Sequence, residues 1–278
     1  MLRVGFLGAG KMAQALAQGF LKSGFLKSDQ LIASCAPFDK SSAEAFKALD
    51  CKVTSINAEV IYNSDVVILA VKPDVVPTVL TDINQCITDK NLLLSIAMGV
   101  TIQALENMLP KNTKIIRLMP NIPVSVQRGV SVFVPNKLVT GQDIDLINKL
   151  LRSVGTCDLV SEYLLDVVTA LSGSGPAYIY VIMEAMADGA VRMGMPRDLA
   201  YKLVSQTILG AAEILLKTKE HPGKLKDDVT SPAGSTAEGL YTMEVSGIRA
   251  AMIKTLEMAT KKCRETSNLI NKETSIKK

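Results

Sequence analysis

The chain has 278 residues, of which 48% are hydrophobic and only 4% aromatic, with no Trp and a formal net charge of +4 at pH 7. Such a composition describes a globular protein packed with Ala, Val, Ile and Leu, long enough for two domains, and excludes a disordered chain. Its 31 basic and 27 acidic residues are interspersed, with no basic stripe between aromatics, which excludes the usual footprint of nucleic-acid binding.

The first predicted strand holds Val4, Phe6 and Leu7 and runs straight into a glycine-rich turn, after which residues 12–21 have helical periodicity. Leu7, Gly8, Ala9, Gly10, Lys11, Met12 and Ala13 thus read as a dinucleotide cradle of the form G-x-G-x-x-G/A. Gly8 permits the tight turn, Gly10 admits a pyrophosphate close to the backbone, and Ala13 lets helix and strand pack closely. The free amides of the helix start and its macrodipole favour an anion there.

Residues 30–34, 65–71, 91–96 and 114–119 are the next predicted strands, and 65–71 and 91–96 are apolar on both faces, as central strands of a parallel sheet covered by helices require. Helical spacing falls between them at 41–49, 73–83 and 101–109, with Thr101 and Glu106 near the start of the last. Residues 131–134 and 157–160 read as later strands around a helix over 143–152. The second strand ends in Ala33, Ser34, Cys35, Ala36 and Pro37 with no acid to hold a ribose 2′-hydroxyl, which favours NADPH over NADH; Lys40 is the nearest cation. Two later loops, Ala70, Val71, Lys72 and Pro73, then Ile96, Ala97 and Met98, leave the same edge, and Lys72 is placed to donate to a phosphate or ribose.

After residue 161 strands give way to long apolar helices, predicted over 163–193, 196–216 and 248–263. The expected organisation is therefore a Rossmann-type doubly wound sheet over 1–161, an all-α domain over 162–268, and a polar tail over 269–278. Helices apolar around most of their circumference need partner surface that one chain of this size lacks, so a homodimer through the helical half is expected. Gly173 and Gly175 mark a close helix crossing or a kink beside Pro176. Ser235 and Thr236 read as N-cap residues of a helix over 237–245, whose free amides suit a carboxylate.

His221 is the only histidine, which excludes a zinc site built on several imidazoles and argues against Ser–His or Cys–His catalysis; no metal is expected. Cys35, Cys51, Cys86, Cys157 and Cys263 are odd in number and never spaced C-x-x-C, the pattern of reduced structural thiols. No uncharged apolar run reaches bilayer length and the first strand begins at residue 2, so a cytoplasmic protein without a membrane span is expected.

Five segments carry a resemblance: the Gly5-Phe-Leu-Gly-Ala-Gly-Lys-Met-Ala13 opening, Leu69-Ala-Val-Lys-Pro73, Arg117-Leu-Met-Pro-Asn-Ile-Pro123, Ala170-Leu-Ser-Gly-Ser-Gly-Pro-Ala177 and Asp227-Asp-Val-Thr-Ser-Pro-Ala-Gly-Ser-Thr236. From Val4 to about Arg264 the chain closely resembles the pyrroline-5-carboxylate reductases. The resemblance implies an NAD(P)H-dependent imine reductase with a Rossmann domain, a helical dimerisation domain, and dimers assembled into a larger ring such as a decamer. By the same resemblance the opening glycines with Lys11 and Met12 hold the pyrophosphate, and Cys35 and Asn57 line the adenosine end. The loops 70–73 and 96–98 hold ribose and nicotinamide, and Gly234, Ser235 and Thr236 bind the substrate carboxylate and ring nitrogen. Thr236 and Glu162 are the implied catalytic pair. Ser often stands where this chain has Cys35, a poorer donor to a 2′-phosphate. A β-hydroxyacid dehydrogenase, the nearest enzymatic rival, needs a lysine after the second glycine cluster, and residues 178–186 offer none. An NADPH-binding sensor without turnover would keep the cradle and not need the Gly234–Thr236 pocket.

Overall fold

The structure is a computed structural model and describes residues 1–276, with side chains to Asn268. Eight strands make one sheet: β1 (Val4–Leu7), β2 (Leu31–Ser34), β3 (Lys52–Thr54), β4 (Val66–Leu69), β5 (Leu92–Ser95), β6 (Lys114–Met119), β7 (Gly129–Pro135) and β8 (Gly155–Leu159). Their order is β3-β2-β1-β4-β5-β6-β7-β8, which is the doubly wound 3-2-1-4-5-6 arrangement extended at one edge. Strands β1 to β6 are mutually parallel. β7 runs antiparallel to β6 and β8 parallel to β7. The sequence pattern suggested a parallel sheet throughout; the reversal follows from the connection after β6, where a short 3-10 turn over Ile122–Val126 replaces a crossover helix.

Alternation along each strand divides the core between the two faces of the sheet. Val4, Phe6, Val66, Ile68, Leu92 and Leu94 point to one side, where Leu16, Phe20 and Leu150 cover them. Leu7, Val67, Leu69 and Leu93 point to the other, under Val60, Leu80, Ile83 and Leu105. Both faces being covered explains why β4 and β5 read as continuous apolar runs. Helices α1 (Lys11–Lys22), α2 (Lys40–Lys47), α3 (Asn57–Tyr62), α4 (Val76–Ile83), α5 (Ile102–Met108) and α6 (Gly141–Arg152) supply these layers. β3 and α3 were not foreseen: one is a three-residue edge strand with no fully buried side chain, the other too short to show a period.

Beyond the sheet lie α7 (Leu165–Val168), α8 (Gly175–Arg192), α9 (Arg197–Thr218), α10 (Pro222–Asp228), α11 (Ser235–Val245) and α12 (Ile248–Ile276). The single helix expected over 163–193 is interrupted by a π-turn at Thr169–Gly173, closed by Ser174 N donating to Thr169 O at 2.9 Å. This is the kink the glycine cluster announced, and Met119 fills the space a side chain at Gly173 would take.

The chain forms two compact units, residues 1–174 with the chain from 259 onward, and residues 175–258. The division falls later than the change of composition after residue 161, because the segment between 162 and 174 packs with the sheet unit, where Gly173 meets Met119. α12 continues through Ile276 across most of the segment expected to be a polar tail; Lys277 and Lys278 lie outside the described residues. The second unit has a slight core of Ala187, Ala200 and Val204, while Tyr180, Val181, Leu209 and Leu216 are more than half exposed. Residues Glu162–Arg192 and Arg197–Thr218 also meet the length and apolarity of a membrane span, on those grounds alone, although charged residues interrupt each of them.

The five cysteines are free thiols. Burial pushes Cys51 and Cys157 up to about 11, so neither is a thiolate at neutral pH, as suits structural residues.

Candidate functional site

The sheet register sets the first part of the site. Leu7 stands opposite Ser34 and Leu69, Ser34 opposite Thr54, and Leu69 opposite Ser95, so β1 to β5 all end in one row. The loops leaving that row are the ones singled out from sequence, on the edge where doubly wound sheets take ligands. Gly8 N donates to Ser34 O at 3.1 Å, Ala70 N to Leu7 O at 2.8 Å and Ile96 N to Leu69 O at 3.1 Å, fastening each loop start to its neighbouring strand.

Gly8 has φ +99°, and a Cβ there would meet Ala70 O at 2.8 Å. Only glycine fits this turn. Gly10 is the N-cap of α1, with extended backbone and no side-chain cap, and a Cβ on it would meet nothing within 4 Å. The first intrahelical bond is Gln14 N to Gly10 O, so the amides of Lys11, Met12 and Ala13 precede it. Bare amides, open space and a helix start fit a pyrophosphate. Ala13 is fully buried, while Lys11 is exposed at the mouth.

At the end of β2, Ser34 Oγ donates to Asn57 Oδ1 at 2.7 Å, and Asn57 Nδ2 donates to Asp82 Oδ2 at 3.2 Å, which fixes the orientation of the Asn57 amide. Cys35 is half-buried and its Sγ donates to Asp39 O at 3.2 Å, so its single proton is committed to the backbone. Burial, and then the charge of Asp39, push that thiol upward. Asp39 caps α2: its Oδ1 accepts from Ser42 N at 3.2 Å and Ser41 Oγ at 3.1 Å, and the Ser42 bonds hold its carboxyl below the usual range. Of the two carboxylates near the end of β2, Asp39 is therefore occupied by a helix cap and Asp82 by the Asn57 amide. On the other side of β1, Lys72 and Met98 are exposed, Val71, Pro73 and Ile96 half-buried, and Ala97 buried.

Glu162 does not present a free carboxylate oxygen pair. Its Oε1 accepts from Arg117 Nη1 at 3.0 Å and from Ile102 N at 3.0 Å, the first turn of α5. Asp166 Oδ1 lies 3.8 Å from Arg117 Nη2, with Ser267 Oγ at 3.3 Å. Arg117 is 7% exposed and stands opposite Ser95, one strand beyond the cradle row. It was absent from the set of site residues read from sequence. Its signal was a charge inside the apolar run of β6.

In the second unit, Ala233 has φ +56° and Gly234 N donates to Ser231 O at 3.1 Å, a tight turn directly before α11. The N-cap is Gly234, not Ser235 or Thr236, because the extended backbone that starts the helix falls on Gly234; it supplies no side-chain cap. Ser235 and Thr236 occupy the first helical positions, which leaves the amides and both hydroxyls of the helix start to a ligand. An anion with a neighbouring hydrogen-bonding atom suits this arrangement. Among the described residues no group of three or more His, Cys, Asp or Glu is placed to hold a metal ion.

Two family profiles match the chain: "NADP oxidoreductase coenzyme F420-dependent" over residues 3–99 and "Pyrroline-5-carboxylate reductase dimerisation" over residues 162–266. A pyrroline-5-carboxylate reductase of Methanosarcina acetivorans is 43% identical over 95% of this chain and 97% of its own. Pyrroline-5-carboxylate reductase 3 of Rattus norvegicus is 42% identical over 95% of this chain and 96% of its own. The Plasmodium falciparum pyrroline carboxylate reductase, solved with NADP bound, superposes with a TM-score of 0.87 at 33% identity, covering 96% of this chain and 98% of that one. Likeness that runs through sheet unit and helical unit alike places this chain in the pyrroline-5-carboxylate reductase family.

Proposed function

We propose that the protein reduces L-1-pyrroline-5-carboxylate to L-proline, the final step of proline biosynthesis, by hydride transfer from NAD(P)H to the cyclic imine carbon. The observation that carries this reading is identity of 42–43% to named reductases over 95% of the chain, in a molecule whose cradle loops leave one strand row. NADPH is the preferred cofactor over NADH, because β2 ends without an acid of its own, Asp39 is engaged in capping α2 and Asp82 in holding the Asn57 amide. When bound, the reduced nicotinamide supplies the hydride.

The chain's own residues position and exclude. The amides of Lys11, Met12 and Ala13 hold the pyrophosphate, and the loops 70–73 and 96–98 hold ribose and nicotinamide. The amides at the start of α11 take the substrate carboxylate, and Thr236 Oγ1 donates to or orients the ring nitrogen. A protonated cyclic imine is already electrophilic at carbon, so orientation supplies most of what the reaction needs; favourable systems gain about 7–11 kcal/mol from it. Glu162 works as a positioning residue, since its Oε1 holds both the Arg117 guanidinium and the first turn of α5 beside the 96–98 loop.

The protein assembles as a dimer through its helical unit, where the dimerisation profile matches and large apolar side chains stand exposed. Covering by a second copy accounts for apolar α8 and α9 without a membrane. Assembly of dimers into a ring such as a decamer, and a cytoplasmic location in which the free thiols stay reduced, complete the proposal.

The test is loss of reduced-nicotinamide absorbance with pyrroline-5-carboxylate, comparing NADPH with NADH. Rapid oxidation establishes the reductase and ranks the cofactors. Folded protein that binds NADPH and oxidises neither would instead be the sensor. Thr236→Val, which keeps the shape and removes the hydroxyl, is expected to lower kcat/KM at least tenfold, about 1.4 kcal/mol of transition-state stabilisation; unchanged kcat/KM would remove Thr236 from the mechanism.

A further inference from the structure

Phe38 stands apart from the other phenylalanines. Phe6, Phe20, Phe46 and Phe133 are fully buried and Phe25 is 38% exposed, whereas Phe38 is 89% exposed. The turn that carries it is fastened at both ends. Asp39 N donates to Ala36 O at 2.9 Å, Cys35 Sγ to Asp39 O at 3.2 Å and Cys35 N to Thr54 O at 2.9 Å, and Asp39 caps the helix that follows. A fixed turn therefore holds a large apolar ring in water, a placement that burial alone would oppose.

Its place on the sheet says what would cover it. The turn leaves β2 directly after Ser34, which receives the Gly8 amide and stands opposite both Leu7 and Thr54. A dinucleotide with its pyrophosphate on the α1 amides lays its adenosine ribose at the end of β2. The base attached to that ribose meets the loops that follow β2 and β3. The second of these carries Ile56, 59% exposed, immediately before Asn57. Two large exposed apolar side chains thus rise from paired strand ends at the adenosine end of the cradle. A purine ring, flat and apolar on both faces, is the ligand that suits them.

We propose that Phe38, with Ile56 on the adjoining loop, seats the adenine ring of the cofactor by stacking and apolar contact, and sets this chain's preference for a full dinucleotide over its nicotinamide half. The proposal rests on the reductase reading. Phe38 makes no contribution to the reacting end, so its effect lies in cofactor affinity and not in turnover.

The test compares wild type, Phe38→Ala, Phe38→Tyr and Ile56→Ala with two hydride donors: NADPH, and reduced nicotinamide mononucleotide, which lacks the adenosine half. Phe38→Ala is expected to raise KM for NADPH about tenfold with kcat and the mononucleotide KM unmoved. Phe38→Tyr restores wild-type KM, and Ile56→Ala raises it by a smaller factor. An unchanged NADPH KM in Phe38→Ala, or an equal rise for both donors, overturns the proposal. Should the wild type oxidise no NADPH with pyrroline-5-carboxylate, the reductase reading fails; direct titration of NADPH into wild type and Phe38→Ala, followed by nicotinamide fluorescence, still decides the adenine seat.

Discussion

Gly8 and Gly10 look alike in sequence and differ in what the fold asks of them. Gly8 adopts φ +99° with Ala70 O and Val71 Cγ1 each 2.8 Å from where a Cβ would sit, so Gly8→Ala strains the backbone by about 1–2 kcal/mol and adds a clash. Gly10→Ala meets no protein atom within 4 Å, so its methyl intrudes only on the space for the pyrophosphate. The expected outcome is a melting temperature lowered in Gly8→Ala alone, and NADPH affinity weakened at least tenfold in both, read by scanning calorimetry and fluorescence titration. Lost stability in Gly10→Ala would contradict the assignment. Residue roles of this kind were legible because the strand–turn–helix spacing is local. Glu162 was legible as an acid near the site, but its commitment to Arg117 and Ile102 was not, since those partners lie 45 and 60 residues away in sequence.

At the scale of elements, two long-range pairs tie strands to helices. Arg117 of β6 holds Glu162 and Asp166 together, its side chain 9% exposed against 35% for Glu162. Arg117→Met leaves the Glu162 and Asp166 carboxylates without their shared cation. Removing one member of a fully buried pair costs about 3–5 kcal/mol, and partial exposure of Glu162 reduces this to about 1–3. A fall in melting temperature with a matching fall in activity is expected, and Arg117→Lys should recover part of both. The start of α6 is held by Thr140 and Asp143, with Lys114 of β6 at 3.0 Å from Asp143 Oδ2. Burial pushes the Asp143 carboxyl up, but bonds from Thr140 and Lys114 outweigh it and hold the group below its ordinary 3.8. A depressed carboxyl stabilises the fold above its unfolded value and loses that contribution as pH falls through the folded one. Urea titrations should therefore separate wild type from Asp143→Asn by about 1 kcal/mol at neutral pH and bring them together in strong acid; a gap independent of pH would exclude the charge as its source. The sequence placed the start of this helix at 143, so the Thr140 cap came from the structure, as did the bridge from Lys114, which depends on β6 and α6 meeting in space.

For the whole molecule, the decisive surface is the apolar one on the helical unit. Leu209 on α9 is 51% exposed, and burying such a side chain contributes about 1.5–3 kcal/mol. Leu209→Asp is expected to shift sedimentation toward monomer at micromolar concentration while the sheet unit keeps its melting transition; a variant that remains a full dimer would place the interface off α9. Periodicity, the Gly8 to Ala13 cradle and the distinctive segments at 170–177 and 227–236 determined by themselves the α/β sheet, the helical second half and the family, because each is a pattern written in neighbouring residues. Tertiary structure alone decided the reversal of β7 and β8, the π-turn at Thr169–Gly173, the packing of residues 162–174 with the sheet unit, the shift of the N-cap to Gly234, and the burial of Arg117 against Glu162. Those features depend on which distant segments meet, and on hydrogen bonds and ion pairs that form only when they do.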